Sequence, residues 1–398
     1  MEGEKRKQIV AFHKSEYGEE PQAIAFAPGR FHLIGEHSAF FKDKTLSVAI
    51  DIPVFVAISK RADFSMKFYF VESEDRRKAN YTSLKVKKED RWANALKAIA
   101  FAFSISGYEL GGMNVTVSSE VQPSAGFGIT TAIKIASALC IRQLLGKRIP
   151  DSEILKIIEK ANKIFLEIPN AIADNLVALY AKKNTLFITN HAHQTFDYVD
   201  YPFSDKLMIL CDASVPRISV WNEETLHESQ NALLLGELHE VKKTVYGGWQ
   251  YETNTQEINE VLSTVSEDTR RKLLCIMREH EDVLLAREAL LAKDFYAFAR
   301  AVNHSHESMK ELFNLSCPEI DWLVKRVLEL EPNLEIIRNP ETCARITGKG
   351  FGRCLYAFIR KADKTSFDEK LSEYERIFGF HPSSHEVHPA AGAKLLKI

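Results

Sequence analysis

The segment ITTAIKIASALCIRQLL, residues 129 to 145, constrains the fold of this chain more than any other. Apolar residues recur there at helical spacing through Ile133, Ala136 and Leu139-Cys140, and Gly146 ends the run. A helix is expected over it. Gly126 and Gly128 lead straight into that helix within the stretch QPSAGFGITTAIKIA, residues 122 to 136. Small residues at such a place let backbone N–H groups approach an anion, and the helix N-terminus adds its partial positive charge. Thr130 and Thr131 add hydroxyls suited to a phosphate or its metal. The same glycines also suit a plain turn and cap. No Gly-Lys-Ser/Thr follows them, so the stretch is not a Walker A loop.

Around this helix the pattern is mixed. Strands are expected at Val54–Ile58, at Met113–Val117, where apolar and polar residues alternate, and at Thr185–Ile188. A second helix is expected from Ser152 to Leu166, breaking before Pro169. Near Tyr201-Pro202 the chain resets with the buried-strand run Leu207–Cys211. Long helical stretches follow over Glu223–Thr244, Glu257–Leu291 with breaks, and Phe295–Phe313, and a late strand over Cys354–Ile359. At 398 residues the chain exceeds one ordinary domain. The order of elements implies an α+β protein of two lobes, 1–200 and 201–398, rather than a regular βα repeat.

Composition narrows the function classes. The chain is 45% hydrophobic and 27% charged with a formal net charge of -2, so no bulk electrostatic argument favours nucleic acid or a membrane surface. Its short basic run Lys85-Val86-Lys87-Lys88 reads as a solvated face. No secretory signal and no apolar stretch of membrane-spanning length are visible, and the six cysteines lack zinc spacing; all this implies a cytoplasmic protein with reduced thiols.

Two further stretches carry chemical potential. FAPGRFHLIGEHSAF, residues 26 to 40, packs Arg30, Glu36 and His37 around Gly29 and Gly35. RITGKGFGRC, residues 345 to 354, alternates Gly348, Gly350 and Gly352 just before a strand, as a backbone pressed against a ligand or a neighbouring chain would. His191-Ala192-His193 has a spacing open to metal binding, but after a strand it reads as a solvated turn.

Together these stretches resemble the galactokinase, homoserine kinase, mevalonate kinase and phosphomevalonate kinase (GHMP) superfamily, with galactokinase closest. APGRFHLIGEHSAF is similar to the galactokinase Gly-Arg-x-Asn-Leu-Ile-Gly-Glu-His-x-Asp-Tyr signature, and ITGKGFGRC to its Thr-Gly-Gly-Gly-Phe-Gly-Gly-Cys turn. NHSHESMKELFNLSCPEID, residues 303 to 321, and the ending HPAAGAKLL continue the likeness in the family order. The resemblance implies a two-lobed fold, with a mixed sheet and helices in the first lobe and a helix-covered antiparallel sheet in the second.

It also implies an ATP-dependent sugar kinase, with galactose to galactose 1-phosphate as first candidate. Arg30 would lie near the transferred phosphate. Asp174, in PNAIADN, would be the catalytic aspartate that orients the attacking hydroxyl and accepts its proton. Glu36 and His37, with Asp174, would contact the sugar. Ser124, Ala125, Gly126, Phe127, Gly128, Ile129, Thr130 and Thr131 would bind the nucleotide, and Thr347, Gly348, Lys349, Gly350, Phe351 and Gly352 would form the third motif. Read outside the resemblance, Asp174 suits a helix N-cap on an exposed turn.

The chain also departs from that pattern. Ala39 stands in place of a sugar-gripping aspartate and Phe40 in place of a tyrosine; His32 occupies the usual asparagine. Ile129 removes one hydroxyl of the phosphate loop. Counting back from Asp174, Asn162 falls at the metal-binding glutamate, which weakens the expected Mg2+ site and leaves Thr130 as its remaining partner, with Glu159 one turn earlier as a substitute. Glu224 falls at the place of the family's sugar-contacting tyrosine of the second lobe. Lys349 and Arg353 replace two glycines. These departures keep open a ligand-binding or regulatory homologue, or a GHMP kinase for another alcohol or a phosphorylated sugar. The implied partners are ATP and a small sugar, with no nucleic acid and no membrane, in a monomer or homodimer.

Overall fold

The computed structural model describes residues 2–37, 43–120, 127–168, 171–216, 263, 265–330, 338–347 and 354–397. The chain forms two compact units, and they interleave along the sequence. The first comprises residues 1–31, 47–201 and 387–398; the second comprises 32–46 and 202–386. One crossing falls beside Tyr201-Pro202, where the apolar pattern resets. The other crossings transfer the turn containing Glu36 to the second unit and return residues 387–398 to the first, so the units are not the halves 1–200 and 201–398.

In the first unit, helix α1 (Glu2–Tyr17) precedes strands β1 (Ala23–Ile34), β2 (Lys44–Lys60), β3 (Ser65–Phe70) and β4 (Asp75–Asn80). Helix α2 (Ala93–Ile105), strand β5 (Met113–Ser119), helices α3 (Ile129–Leu145), α4 (Asp151–Lys160) and α5 (Ile172–Tyr180), and strands β6 (Thr185–Asn190) and β7 (Thr195–Asp200) follow. The second unit contributes β8 (Lys206–Asp212), α6 (Glu267–Ala292), α7 (Phe295–Glu311), α8 (Pro318–Leu328), β9 (Cys343–Thr347), β10 (Cys354–Arg360), α9 (Lys364–Phe378) and β11 (Ser383–Val387). Strand β12 (Lys394–Leu396) returns to the first.

The first unit carries a mixed sheet in the order β12-β1-β2-β5-β3-β4, with β6 and β7 continuing from β2. β3 runs parallel to β5, while β12 pairs antiparallel to β1 through Ile24↔Leu396. Pro53 cannot donate to a ladder, and the β2–β5 register begins immediately after it, at Val54↔Ser119. α3 lies at the heart of this unit. Every residue from Thr131 to Ile141 is buried, and the thiol of Cys140 reaches the carbonyl of Val56 on β2. A helix so apolar on all sides belongs inside a fold. Gly146, at φ 61°, ends it in the left-handed region that glycine tolerates.

The second unit is an antiparallel sheet, β11-β8-β10-β9, covered by helices. Period-two alternation divides β10: Leu355, Ala357 and Ile359 join the core with Leu273, Ile276, Leu323 and Phe367, while Phe358 on the other face packs edge-on against Phe298 of α7.

The expected strands at 54–58, 113–117, 185–188, 207–211 and 354–359 lie within β2, β5, β6, β8 and β10. The helix expected over 152–166 is α4 continued by one wider π turn, Ala161–Phe165. β5 is covered on both faces rather than half-buried, which its alternating sequence did not indicate. The helix expected over 223–244, and residues 257–262, fall outside the described residues. After β6, the amides of Ala192 and His193 donate to Asn190 Oδ1, so the His191–His193 stretch is a capped turn. All six cysteines are free. Among the described residues no helix is long and apolar enough to cross a membrane.

Candidate active site

Strand β1 and the start of α3 are pressed together at backbone distance. The amide of Arg30 donates to the carbonyl of Phe127 at 3.0 Å. Gly29 faces that same carbonyl, which a Cβ would meet at 2.9 Å. Gly128, at φ 73°, lies on Arg30 itself, and its Cβ would fall 2.8 Å from the Arg30 carbonyl oxygen. The two glycines are therefore required by close approach, and they fix Arg30 beside the first turn of α3. Gly128 is the N-cap and offers no side chain, so the amides of that turn are not capped by a residue of their own helix. Ile129 and Thr131 are buried and Thr130 is exposed.

Helix α5 brings Asp174 to the same place from the other side. Asp174 stands in the first turn of α5, with its carboxylate Oδ1 2.8 Å from Arg30 Nε. The Nε–H does not point along that vector, so the contact is a charge pair rather than an aligned hydrogen bond. The N-cap position of α5 belongs to Ala171, which excludes the capping role for Asp174. A carboxylate and a guanidinium in contact beside uncapped helix amides can accept a proton and stabilise a dianionic phosphoryl group.

One turn into α3, Lys134 is buried and donates from Nζ to Oδ1 of Asn162, itself buried in the π turn after α4. Among the described residues, the amide Nδ2 of Asn162 has no hydrogen-bond partner. Lys134 carries no signature that sequence reading uses. Its only signal is a lysine inside an otherwise apolar helical run, four residues after Thr130.

Glu36 and His37 belong to the second unit, in the turn after β1. Glu36 is committed to a buried ion pair: Arg345 Nη1 of β9 donates to its Oε2 at 2.8 Å, and Arg345 Nη2 reaches Glu279 Oε2 of α6 at 3.1 Å. Arg345 Nε donates to Ser305 Oγ, Ser305 Oγ donates to Glu279 Oε1, and Glu279 Oε2 accepts the amide of Gly35 at 2.8 Å. Burial works against the guanidinium charge, but Glu279 and Glu36 hold the Arg345 pKa above its ordinary value. His37 stacks on Phe313 at 5.0 Å between ring centroids. The turn is fastened further by Thr347 Oγ1 to the His32 carbonyl and by the Tyr356 hydroxyl to the Leu33 carbonyl.

Beside this network Asp282 is buried against His304, 2.8 Å away, and burial pushes its pKa up to about 7. Sequence reading missed Arg345, Glu279 and Asp282, because pairs such as Glu36–Arg345 join residues hundreds of positions apart. Ala39, Phe40, Ser124, Ala125, Gly126, Glu224, Gly348, Lys349, Gly350, Phe351, Gly352 and Arg353 lie outside the described residues.

Comparison with known proteins bears on this arrangement. Residues 11–60 match the galactokinase galactose-binding signature, and residues 92–182 match the GHMP kinases N-terminal domain. A Treponema pallidum (strain Nichols) protein named "Putative galactokinase" is 37% identical over 391 residues, covering 98% of this chain and 96% of its own length. The chain belongs to the galactokinase family. Thermotoga maritima galactokinase is 27% identical over 371 residues, 92% of this chain and 98% of that one. In fold, this family member superposes on the crystal structure of Lactococcus lactis galactokinase complexed with galactose with a TM-score of 0.83 at 18% identity, covering 98% and 99% of the two chains. It also superposes on Methanococcus jannaschii mevalonate kinase, with a TM-score of 0.62 at 16% identity over 92% and 98% of the chains. The two-lobed GHMP architecture expected from the sequence is the one observed.

Proposed function

We propose that this galactokinase-family chain is an ATP-dependent galactokinase that transfers the terminal phosphoryl group of ATP to galactose, giving galactose 1-phosphate and ADP. The observation that carries the reading is the 2.8 Å pairing of Arg30 with Asp174 beside the uncapped amides of α3. Asp174 orients the sugar hydroxyl and accepts its proton as the oxygen attacks phosphorus. Arg30 stabilises the charge spread over the phosphoryl oxygens, and the residues from Ser124 to Thr131 hold the remaining phosphates. A protein that only bound a ligand would gain nothing from a base in contact with an arginine here. In the second unit Glu36 is fixed by Arg345 in the turn that carries His37; Glu36 and His37 are assigned to the sugar, and Thr347 to Gly352 to the third motif.

Magnesium is the cation such a kinase family implies, and the residues at the expected place do not fit it. Asn162 Oδ1, the one atom of that side chain able to ligate a metal, is occupied by Lys134 Nζ. Among the described residues no group of three or more His, Cys, Asp or Glu is arranged to hold a metal ion.

The test is ADP release with galactose and MgATP, beside Asp174→Asn. The expected result is turnover that falls by about 10²- to 10⁴-fold in the variant, the usual worth of a general base. Turnover with galactose no greater than that of the variant would overturn galactose as the substrate.

A further inference from the structure

Strand β4 closes one edge of the first unit's sheet, and its register against β3 sets Lys67 directly opposite Lys78. Both side chains are exposed on one face, and like charges so placed oppose folding. The two lysines line a cavity of about 400 Å³, and the chain after β4 brings Lys85 and Lys87 to it. Hydrogen bonds fix that chain. Asn80 Oδ1 accepts the amide of Thr82, Asn94 of α2 donates to the Lys87 carbonyl and accepts its amide, and Lys97 Nζ donates to the Lys85 carbonyl. Lys97 is itself buried in the cavity wall and pairs at 2.7 Å with Asp90, the one carboxylate lining it among the described residues. The other four lysines have no ion-pair partner among the described residues. A chain of net charge -2 thus gathers four uncompensated ammonium groups around one preformed space. Defence of the sheet edge would account for Lys78, but not for Lys67 on the inner strand or for the pinned Lys85 and Lys87.

The rest of the wall is serine, asparagine and alanine, so nothing there stacks on a base or covers an apolar body. Hydroxyl, amide and ammonium groups suit phosphate oxygen, and a space of this size admits a small molecule. The cavity also stands apart from the proposed nucleotide site. It lies toward the Ser65 end of β3, whereas the chain leaves β5 for α3 at the opposite end, beyond Phe70↔Val117. We infer that this cavity is a separate anion site, which binds a compact polyphosphate of two or more linked phosphate groups without a nucleobase. Lys67 and Lys78 hold it from the strands, and Lys85 and Lys87 from the chain after β4.

The experiment titrates the full chain with inorganic tripolyphosphate by calorimetry in about 0.15 M KCl, where exposed charges more than ~8 Å apart are largely screened. The expected result is binding tighter than about 1 mM. Lys67→Gln with Lys78→Gln should weaken it by at least about tenfold, and so should Lys85→Gln with Lys87→Gln, the range of hydrogen bonds to charged groups. The first pair should leave the urea midpoint unchanged or raised, since it removes an opposition of like charges, so lost binding is not lost folding. Arg30→Gln, at the proposed nucleotide site, should leave this lysine-dependent binding within about twofold. A wild-type chain without binding in that range would overturn the inference, as would two folded lysine pairs with the parent's affinity. Binding lost in Arg30→Gln and kept in the lysine variants would assign the anion to the nucleotide site instead. A single-stranded oligonucleotide that binds tighter than tripolyphosphate through the same lysines would replace the small ion with nucleic acid and overturn it too.

Discussion

A Cβ at Gly128 would lie 2.8 Å from the carbonyl oxygen of Arg30 and 2.9 Å from its amide nitrogen, so one missing methyl sets how close the arginine comes to helix α3. Gly128→Ala meets both a left-handed backbone and a backbone collision. It should destabilise the protein by about 2–5 kcal/mol, seen as an earlier urea midpoint, and should depress turnover further by moving Arg30. A variant as stable and active as the parent would show that β1 can retreat without cost.

Arg345 lies between two buried carboxylates, Glu36 and Glu279. Arg345→Met would leave both charges buried without their cation, at a cost of roughly 3–5 kcal/mol in denaturant unfolding. Adding Glu36→Gln and Glu279→Gln should return at least half of that loss, because a neutral buried cluster needs no counter-charge. If the triple variant is no more stable than the single one, the arginine acts through packing instead.

The two units should respond to pH with opposite signs. In the first, His13 is buried between Thr116 and Ser59, and burial lowers its pKa from 6.5 to about 4. The folded state resists protonating it, so its contribution is intact above pH 6.5 and is lost as pH falls toward 4. In the second, Asp282 goes from 3.8 to about 7, chiefly by burial and against the pull of His304, so its contribution is intact below pH 3.8 and is lost as pH rises through 7. Denaturant midpoints of His13→Gln and Asp282→Asn, followed from pH 4 to pH 8, check both. The first substitution should flatten the acid side of the stability curve and the second the alkaline side.

Gly392 lies directly on the last turn of α5, where a Cβ would come 2.3 Å from the Leu179 carbonyl oxygen. Its amide donates to the Ala181 carbonyl, and that of Ala393 to the Ala178 carbonyl. Gly392→Ala should therefore displace α5 and with it Asp174. Turnover is expected to fall by about tenfold or more while nucleotide affinity changes little, since a misplaced base costs rate before binding. Loss of both in equal measure would mean that the whole unit had loosened.

What could be read from sequence was what the chain states locally. The helix over 129–145 showed itself in its own periodicity and its glycine stop, and the strand at 207–211 in a continuous apolar run. Arg30 and Asp174 were reachable through motif likeness, but their 2.8 Å contact depends on Gly29 and Gly128 meeting across the β1–α3 junction. Glu36 was assigned to the sugar by motif likeness alone, and its ion pair went unread because the partner lies 309 positions away, where no spacing rule operates. Lys134 was not singled out at all, because its contact with Asn162 joins residues 28 positions apart. α1 went unread because its exposed faces are charged and the residues it buries, such as Ile9 and His13, are few.

The return of residues 387–398 to the first unit has a consequence for synthesis on the ribosome. Residues 47–201 leave the exit tunnel early, yet the backbone of Ile24, Ala25 and Phe26 has no β12 beside it until Lys394–Leu396 have been made. All of 202–386 is translated in the meantime. The nascent chain therefore holds an open strand edge while the whole of 202–386 is made, the kind of edge that invites pairing with another chain. The segments of the second unit are all made before the last segment of the first, 387–398, is added.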